Sequence, residues 1–389
     1  MSDAVILSAV RTPIGVAFKG TLRDTPAEDL ATAVVAEALK RSGLDTSDVG
    51  DVILGEALYG GGDLARYAAV ASGLTQVPGQ AVNRHCASAL TAIGNAAAQI
   101  RSGMERAIIA GGVMSASMGP ALSWRVLGEE TPRRRMPYAF PYTGPSDEDV
   151  TITTGFSTAQ ELGLSREDQD AWALRSHQRA VEAIAAGVFA DEIIAVEGHD
   201  AGGRAIQFLA DEGPRATTSP DRLAGLPPLH PEIPGFSITA GNSSQVNDGA
   251  AALMIADRAL AAERGIEPLA EIVAWSSVAV HPARTGMGAL DAITAALTRA
   301  GIDVNAVDLW EINEAFASVP LAACRTFGID EAKVNIFGSG CSLGHPVAAT
   351  GARMVTTLVH ELSRRGGGLG VAAMCAGAGQ GGSVVVRVG

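Results

Sequence analysis

Four short segments carry residue types suited to nucleophilic catalysis. The first is Asn83-Arg84-His85-Cys86-Ala87-Ser88-Ala89-Leu90. Leu90, Ile93, Ala97 and Ile100 recur at helical spacing, which predicts a helix beginning near Cys86 and ending before Gly103. A cysteine in a helix's first turn meets unpaired N–H groups and the positive end of the macrodipole, both of which favour the nucleophilic thiolate. By itself, a cysteine in such a place is more often a small core residue. The second segment runs Gly338-Ser339-Gly340-Cys341-Ser342-Leu343-Gly344-His345-Pro346, with helix expected from Val347. Its His345 is a candidate base if it faces Cys86, and a turn residue otherwise. The third, Ala372 to Gly382, reads as a buried strand bearing Cys375, then a glycine-rich bend. Glycines there let backbone N–H groups approach a ligand, as an oxyanion hole requires; the plain alternative is a hairpin with a free thiol. The fourth, Glu311-Ile312-Asn313-Glu314-Ala315-Phe316-Ala317, spans a strand-to-helix junction where Asn313 either holds a water or oxyanion or merely caps the helix.

The elements that must position these groups alternate between strand and helix. An apolar run from Ala4 to Val10 reads as a buried strand, Ala27–Ser42 as a helix capped by Gly43, and Asp51–Leu54 as a second buried strand. This order argues for parallel βαβ units in an α/β fold. The chain also repeats itself. At a shift of 258 positions, Leu39, Arg41, Gly43, Asp45, Val49, Glu56 and Ala57 meet Leu297, Arg299, Gly301, Asp303, Val307, Glu314 and Ala315 without a gap. The same shift sets Cys86 against Gly344, next to His345, so the two groups are expected at the starts of equivalent helices. Between the halves, Met118 to Val246 has a different character, with prolines, charges and one strong helix capped by Ser165 and Asp168. It reads as a cover over a site that the halves build.

Composition narrows the function. The net charge of −13 does not suit a nucleic-acid partner. A polyanionic ligand would need a local basic patch; Pro132-Arg133-Arg134-Arg135 is either that patch or a solvated loop. Cys86, Cys324, Cys341 and Cys375 form no CxxC pair, which argues against zinc and redox-pair chemistry. No apolar run reaches the ~18 residues of a membrane span. No signal peptide and no peroxisomal address is read, and free thiols suggest a reducing cytoplasm.

The four segments, in this order, resemble the thiolase family, as does Ile238-Thr239-Ala240-Gly241-Asn242-Ser243-Ser244-Gln245-Val246-Asn247-Asp248-Gly249-Ala250. The resemblance runs from end to end. It implies duplicated βαβαβ halves in a layered α-β-α-β-α core, with residues 1–117 plus 247–266 as one half, 267–389 as the other and 118–246 as the inserted cover. It implies that Cys86 accepts the acyl group and that His345 takes its proton and helps hold the thioester oxygen. Cys375 would move a proton at the substrate carbon, and Asn313 would fix a water in one oxyanion hole. The backbone N–H groups of Cys86 and Gly377 would form the other hole. Ser244, Ala240, Ala315 and Phe316 would line the channel for the pantetheine arm. The substrates would be CoA and acyl-CoA, with no cofactor or metal, in a homodimer or homotetramer.

The sequence departs from the family pattern where ligands would lie. His-Met-Gly and Thr-Ala-Glu of the cover loop are replaced by Val150-Thr151-Ile152 and Thr154-Gly155-Phe156. Met-Gly-x-Gly-Pro reads Thr285-Gly286-Met287-Gly288-Ala289, and Ala-Gly-Gly-Val-Glu-Ser reads Ala110 to Ser115 with Met114 for the acid. The rival readings are a ketoacyl synthase, which pairs its cysteine with two histidines, and an inactive acyl-CoA-binding protein, which would have lost a reactive residue.

Overall fold

The computed structural model describes residues 3–57, 62–134, 139 and 149–389. The first half contains β1 (Ala4–Arg11), α1 (Ala27–Ser42), β2 (Asp51–Gly55), α2 (Leu64–Ala71), β3 (Gly79–Val82), α3 (Ser88–Ser102) and β4 (Ala107–Met114), and closes with β5 (Asn247–Asp257). Between β4 and β5 lies α4 (Arg166–Ala185). The second half contains β6 (Ala270–Ala279), α5 (Gly288–Ala300), β7 (Leu309–Ile312), α6 (Ser318–Phe327), α7 (Thr350–Arg364), β8 (Gly368–Ala376) and β9 (Gln380–Val388).

α1 forms where the sequence places it. Glu28 and Asp29 oppose the positive end of its dipole, Lys40 and Arg41 the negative end, and Gly43 closes it at φ 73°. Leu30, Ala31, Val34, Val35 and Ala38 make the buried stripe. α3 and α7 differ, being buried on nearly every side although α7 carries polar residues such as Arg353 and Glu361. A helix of that kind belongs between layers. Both contribute to one core with Ile53, Ile108 and Leu253 of the first half and Leu309, Met374 and Val384 of the second. α1 and α2 cover the first half's outer face, and α5 and α6 the second's, which gives the α-β-α-β-α layering.

The strands run β7-β8-β9-β6-β1-β5-β4-β2-β3, with Gly15–Val16 added beside β5. The sheet is mixed. β2 is parallel to β3 and β4, and β7 to β8, as βαβ units require, whereas β1, β5, β6 and β9 pair antiparallel. The parallel pairing expected from the βαβ order thus holds toward the two edges of the sheet, and the central strands run antiparallel. Within the sheet, the described residues join the halves by pairing β1 with β6, Val5 opposite Glu271 and Ile6 opposite Ala270. The duplication is visible in three dimensions. Gly43 and Gly301 cap α1 and α5, and the 3-10 turns Thr46–Asp48 and Val304–Ala306 follow at the same offset of 258. The offset then changes. α3 starts at Ser88 and α7 at Thr350, 262 positions apart, so setting Cys86 against Gly344 does not hold at the helix starts. Helix from Val347 is likewise corrected: Pro346 to Ala349 form a turn before α7.

Small side chains let α3 pass between the sheets. A Cβ on Gly94 would lie 2.6 Å from Trp275 Cδ1, and the Arg101 guanidinium stacks 5.3 Å from that ring. Gly94→Ala should cost about 1–3 kcal/mol of strain, only partly offset by the ~1 kcal/mol helix-propensity gain of alanine. Urea unfolding should show a lower midpoint for this variant; an unchanged or higher midpoint contradicts the packing described.

Candidate active site

Cys86 sits just before α3 rather than in its first turn. The helix begins at Ser88, Ala87 is its N-cap, and Cys86 precedes the cap. The loop is held tightly. Asn83 Oδ1 accepts from the His85 N–H at 2.9 Å, and Ser88 Oγ donates to the His85 carbonyl at 2.6 Å and accepts from the Arg84 N–H at 2.9 Å. His85 takes φ 47°, a conformation that histidine adopts more readily than most residues. This bend turns the Cys86 thiol toward the second half, where the Gly377 N–H donates to the sulfur.

The electrostatics overturn one expectation. The Cys86 thiol is pushed up to about 11, because burial outweighs the N–H bonds from Gly377 and from Cys86 itself. The dipole of α3 does not prevail, since the sulfur lies outside the helix. At rest Cys86 is a thiol and needs a base. Cys375, near the end of β8 and buried, is raised further still, by burial first and then by the neighbouring Cys86 sulfur, since two thiolates side by side would repel. It is a neutral thiol at any ordinary pH.

His345 lies in the loop before α7 and is buried. Its N–H donates to Asn247 Oδ1 at 2.9 Å, and Nδ1 is 2.7 Å from Thr350 Oγ1. Gly344, at φ 114°, must be glycine: a Cβ there would lie 2.5 Å from the Asn247 side chain. Burial first, then the charge of Arg353, lowers His345 to about 3, so the imidazole is neutral. Asn313 follows β7, and its N–H donates to the Ala373 carbonyl of β8 at 3.0 Å, two residues before Cys375. Its Nδ2 is 3.3 Å from His345 Nε2 and 3.5 Å from Nδ1. Its Oδ1 is buried without a hydrogen-bond partner. The starts of α3 and α7 share a wall. A Cβ on Gly112 would lie 2.0 Å from the Ala348 oxygen and 3.1 Å from Ala89 Cβ, and these residues stand three beyond His345 and Cys86.

Glu314 anchors the loop that carries His345. It accepts from Trp172 Nε1 at 2.8 Å, Ser176 Oγ at 2.7 Å, Asn335 Nδ2 at 2.9 Å and the Cys341 N–H at 3.0 Å. Trp172 and Ser176 belong to α4, which starts with the expected capping box of Ser165 and Asp168. The segment expected to cover the site thus clamps its loop. Around the proposed channel, the Ser244 N–H donates to the Ala315 carbonyl at 2.9 Å, and Ser243 pairs with Phe316. Ala240 lies in the adjoining turn and is exposed. Ser318 Oγ donates to the Gly155 carbonyl at 2.9 Å, and Phe156, Phe236, Ile238 and Phe316 form a buried cluster. Two of the substituted cover positions, Gly155 and Phe156, therefore lie against Phe316.

Arg133 and Arg134 sit on an exposed two-stranded ribbon with Ser123 and Trp124, and Arg133 pairs with Glu129. Arg135 lies outside the described residues, as does most of the Tyr138–Ser146 stretch. Asn247 and Thr350, which hold His345, had no role assigned from sequence. Asn247 stands 98 residues from its partner, and a threonine five residues beyond a histidine matches no recognisable spacing. Among the described residues no cluster could hold a metal, and no helix is long and apolar enough to cross a membrane.

The chain matches the model for the thiolase N-terminal domain over residues 4–259 and that for the thiolase C-terminal domain over residues 266–388. It is 39% identical over 400 residues to a 3-ketoacyl-CoA thiolase of Bacillus subtilis, covering 100% of both chains. It is also 39% identical over 389 residues to an acetyl-CoA acetyltransferase of Pseudomonas aeruginosa, covering 98% of each. Among solved structures, it resembles the Bacillus anthracis acetyl-CoA acetyltransferase at TM-score 0.90 and 37% identity, covering 100% of this chain and 99% of that one. Human mitochondrial 3-ketoacyl-CoA thiolase superposes at TM-score 0.89 and 33% identity, with the same coverage. The synthase-like and inactive readings are not favoured by these relatives. The chain belongs to the thiolase family of acyltransferases.

Proposed function

We propose that this enzyme moves acyl groups between CoA and 3-oxoacyl-CoA by the following division of labour. His345 Nε2 takes the proton of the Cys86 thiol as the sulfur attacks the thioester carbonyl, and returns it to the departing CoA sulfur. The N–H groups of Cys86 and Gly377 stabilise the oxyanion of that step. The same proton shuttle reverses when CoA attacks the acyl-Cys86. In cleavage the Cys86 sulfur bonds to the 3-oxo carbon, and the bond from that carbon to the carbon next to the thioester breaks. The Cys375 thiol gives its proton to the carbon released and is reprotonated from the His345 imidazolium, while His345 and a water on Asn313 hold the enolate oxygen; condensation is the reverse. The observation that carries this reading is the approach of the Gly377 N–H to the Cys86 sulfur, with Cys375 two residues before it. The unpaired Asn313 Oδ1 supports the water. Side chains supply every proton transfer, so the proposal needs no cofactor.

Chain-length preference rests on the substituted cover positions, of which Gly155 and Phe156 lie against Phe316. Thiolysis of 3-oxoacyl-CoAs of graded length measures it, and no cleavage at any length would overturn the proposal. Asn313→Ala should remain folded and lose roughly 10²–10³-fold in turnover, the usual cost of one oxyanion donor. Near-normal turnover would remove Asn313 from the mechanism. We place the enzyme in the cytoplasm on its four free cysteines and expect a homodimer or homotetramer, which light scattering distinguishes.

A further inference from the structure

Thr350 has no part in the chemistry described above, yet it is fully buried and touches the base. It is the first residue of α7, and its hydroxyl has two neighbours. Oγ1 lies 2.9 Å from the Pro346 carbonyl, one turn back, and 2.7 Å from His345 Nδ1. The hydroxyl donates back to the Pro346 carbonyl, as threonines in a helix commonly do, so its single proton points away from the imidazole. Toward the imidazole the hydroxyl then presents a lone pair. The group facing that lone pair has to be an N–H. The Asn313 amide nitrogen stands 3.3 Å from Nε2 and 3.5 Å from Nδ1, so it faces both ring nitrogens and does not choose between them. The Thr350 contact selects the form of the ring with the proton on Nδ1 and none on Nε2.

We infer that Thr350 is a positioning residue that fixes the tautomer of His345, holding its proton on Nδ1 so that Nε2 is always the nitrogen free to accept. The inference rests on the reading of His345 as the base for Cys86. Two properties make the device useful. The imidazole is buried and neutral, so water does not restore the right tautomer. The backbone that carries the ring is held as well, because the His345 main-chain N–H is tied to Asn247, against which Gly344 packs closely. In the transfer step Nε2 gains the thiol proton and gives it to the departing sulfur, while Nδ1–H stays on Thr350 throughout. No proton is gained or lost by Thr350, whose role is to make one end of the ring unavailable.

The sequence offers a graded series for a test. Thr350→Val keeps the shape and removes the acceptor, and Thr350→Ser restores the hydroxyl. With ¹⁵N-histidine incorporated, His345 is one of seven histidines, and its signals are those absent from His345→Gln. The expected result is an Nδ1-protonated neutral ring in the unsubstituted protein. Thr350→Val should shift the ring toward Nε2–H and slow the burst of CoA release from acetyl-CoA by roughly 10–100-fold, the usual cost of losing the group that orients a functional histidine. Thr350→Ser should restore both. An Nε2-protonated ring in the unsubstituted protein overturns the inference. So does a slower burst in Thr350→Val with the tautomer unchanged, which would mark a purely structural role. If Thr350→Val fails to fold by circular dichroism, Thr350→Ala is read by the same criteria. His345→Gln separates the two levels. A full burst in that variant defeats the base reading, whereas the tautomer measurement stands or falls without it.

Discussion

Cys375→Ala should still take one acetyl group from acetyl-CoA while losing condensation and thiolysis. Burial and the neighbouring Cys86 keep the Cys375 thiol protonated, so it is poorly suited to attack and well suited to give a proton. Removing a positioned acid/base typically costs 10²–10⁴-fold. The loss should appear in steady-state turnover and spare the burst of CoA release. Alanine in place of a buried thiol at the end of β8 leaves a small gap and should not unfold the chain. A folded Cys375→Ala protein without a burst would show that both thiols serve the first step.

His345→Gln should lose the burst itself. With Cys86 pushed up to about 11 and His345 down to about 3, attack requires transfer from a neutral thiol to a neutral imidazole. Without the base the thiol remains protonated, and the acylation rate should fall roughly 10²–10⁴-fold. The same pair fixes the pH dependence. His345 gains a proton only near pH 3 and Cys86 loses one only near pH 11, so the burst rate should be flat from roughly pH 5 to 9. An inflection near pH 6–7 would mean that an ordinary histidine, or a preformed thiolate, limits the step. It follows that neutral-pH alkylation of the free enzyme should not reveal an unusually fast thiolate, contrary to what a helix-start cysteine suggests.

Local signals in the sequence were dependable where they described local physics. The Gly43 cap, the Ser165–Asp168 capping box and the 258-residue repeat reappear with the same residues. The motif order also led to the correct family. What the sequence lacked was depth. Cys86 looked activated because its spacing to Leu90 and Ile93 implied a helix dipole, and nothing in that spacing reports how far the sulfur is buried or that Ala87 is the cap. The repeat led to the right pair of helices but the wrong register, since four additional residues enter the second copy before α7. Asn247, Glu314 and Thr350 shape the His345 loop through contacts that close only when the halves and α4 pack together. Such contacts leave no periodic trace.

The central claim is that Cys86 carries the acyl group. Incubation with acetyl-CoA, acid quench, proteolysis and mass mapping test it directly. The account predicts one acetyl group, on the peptide containing Cys86. An acetyl group on Cys375, or none on any peptide, would contradict it.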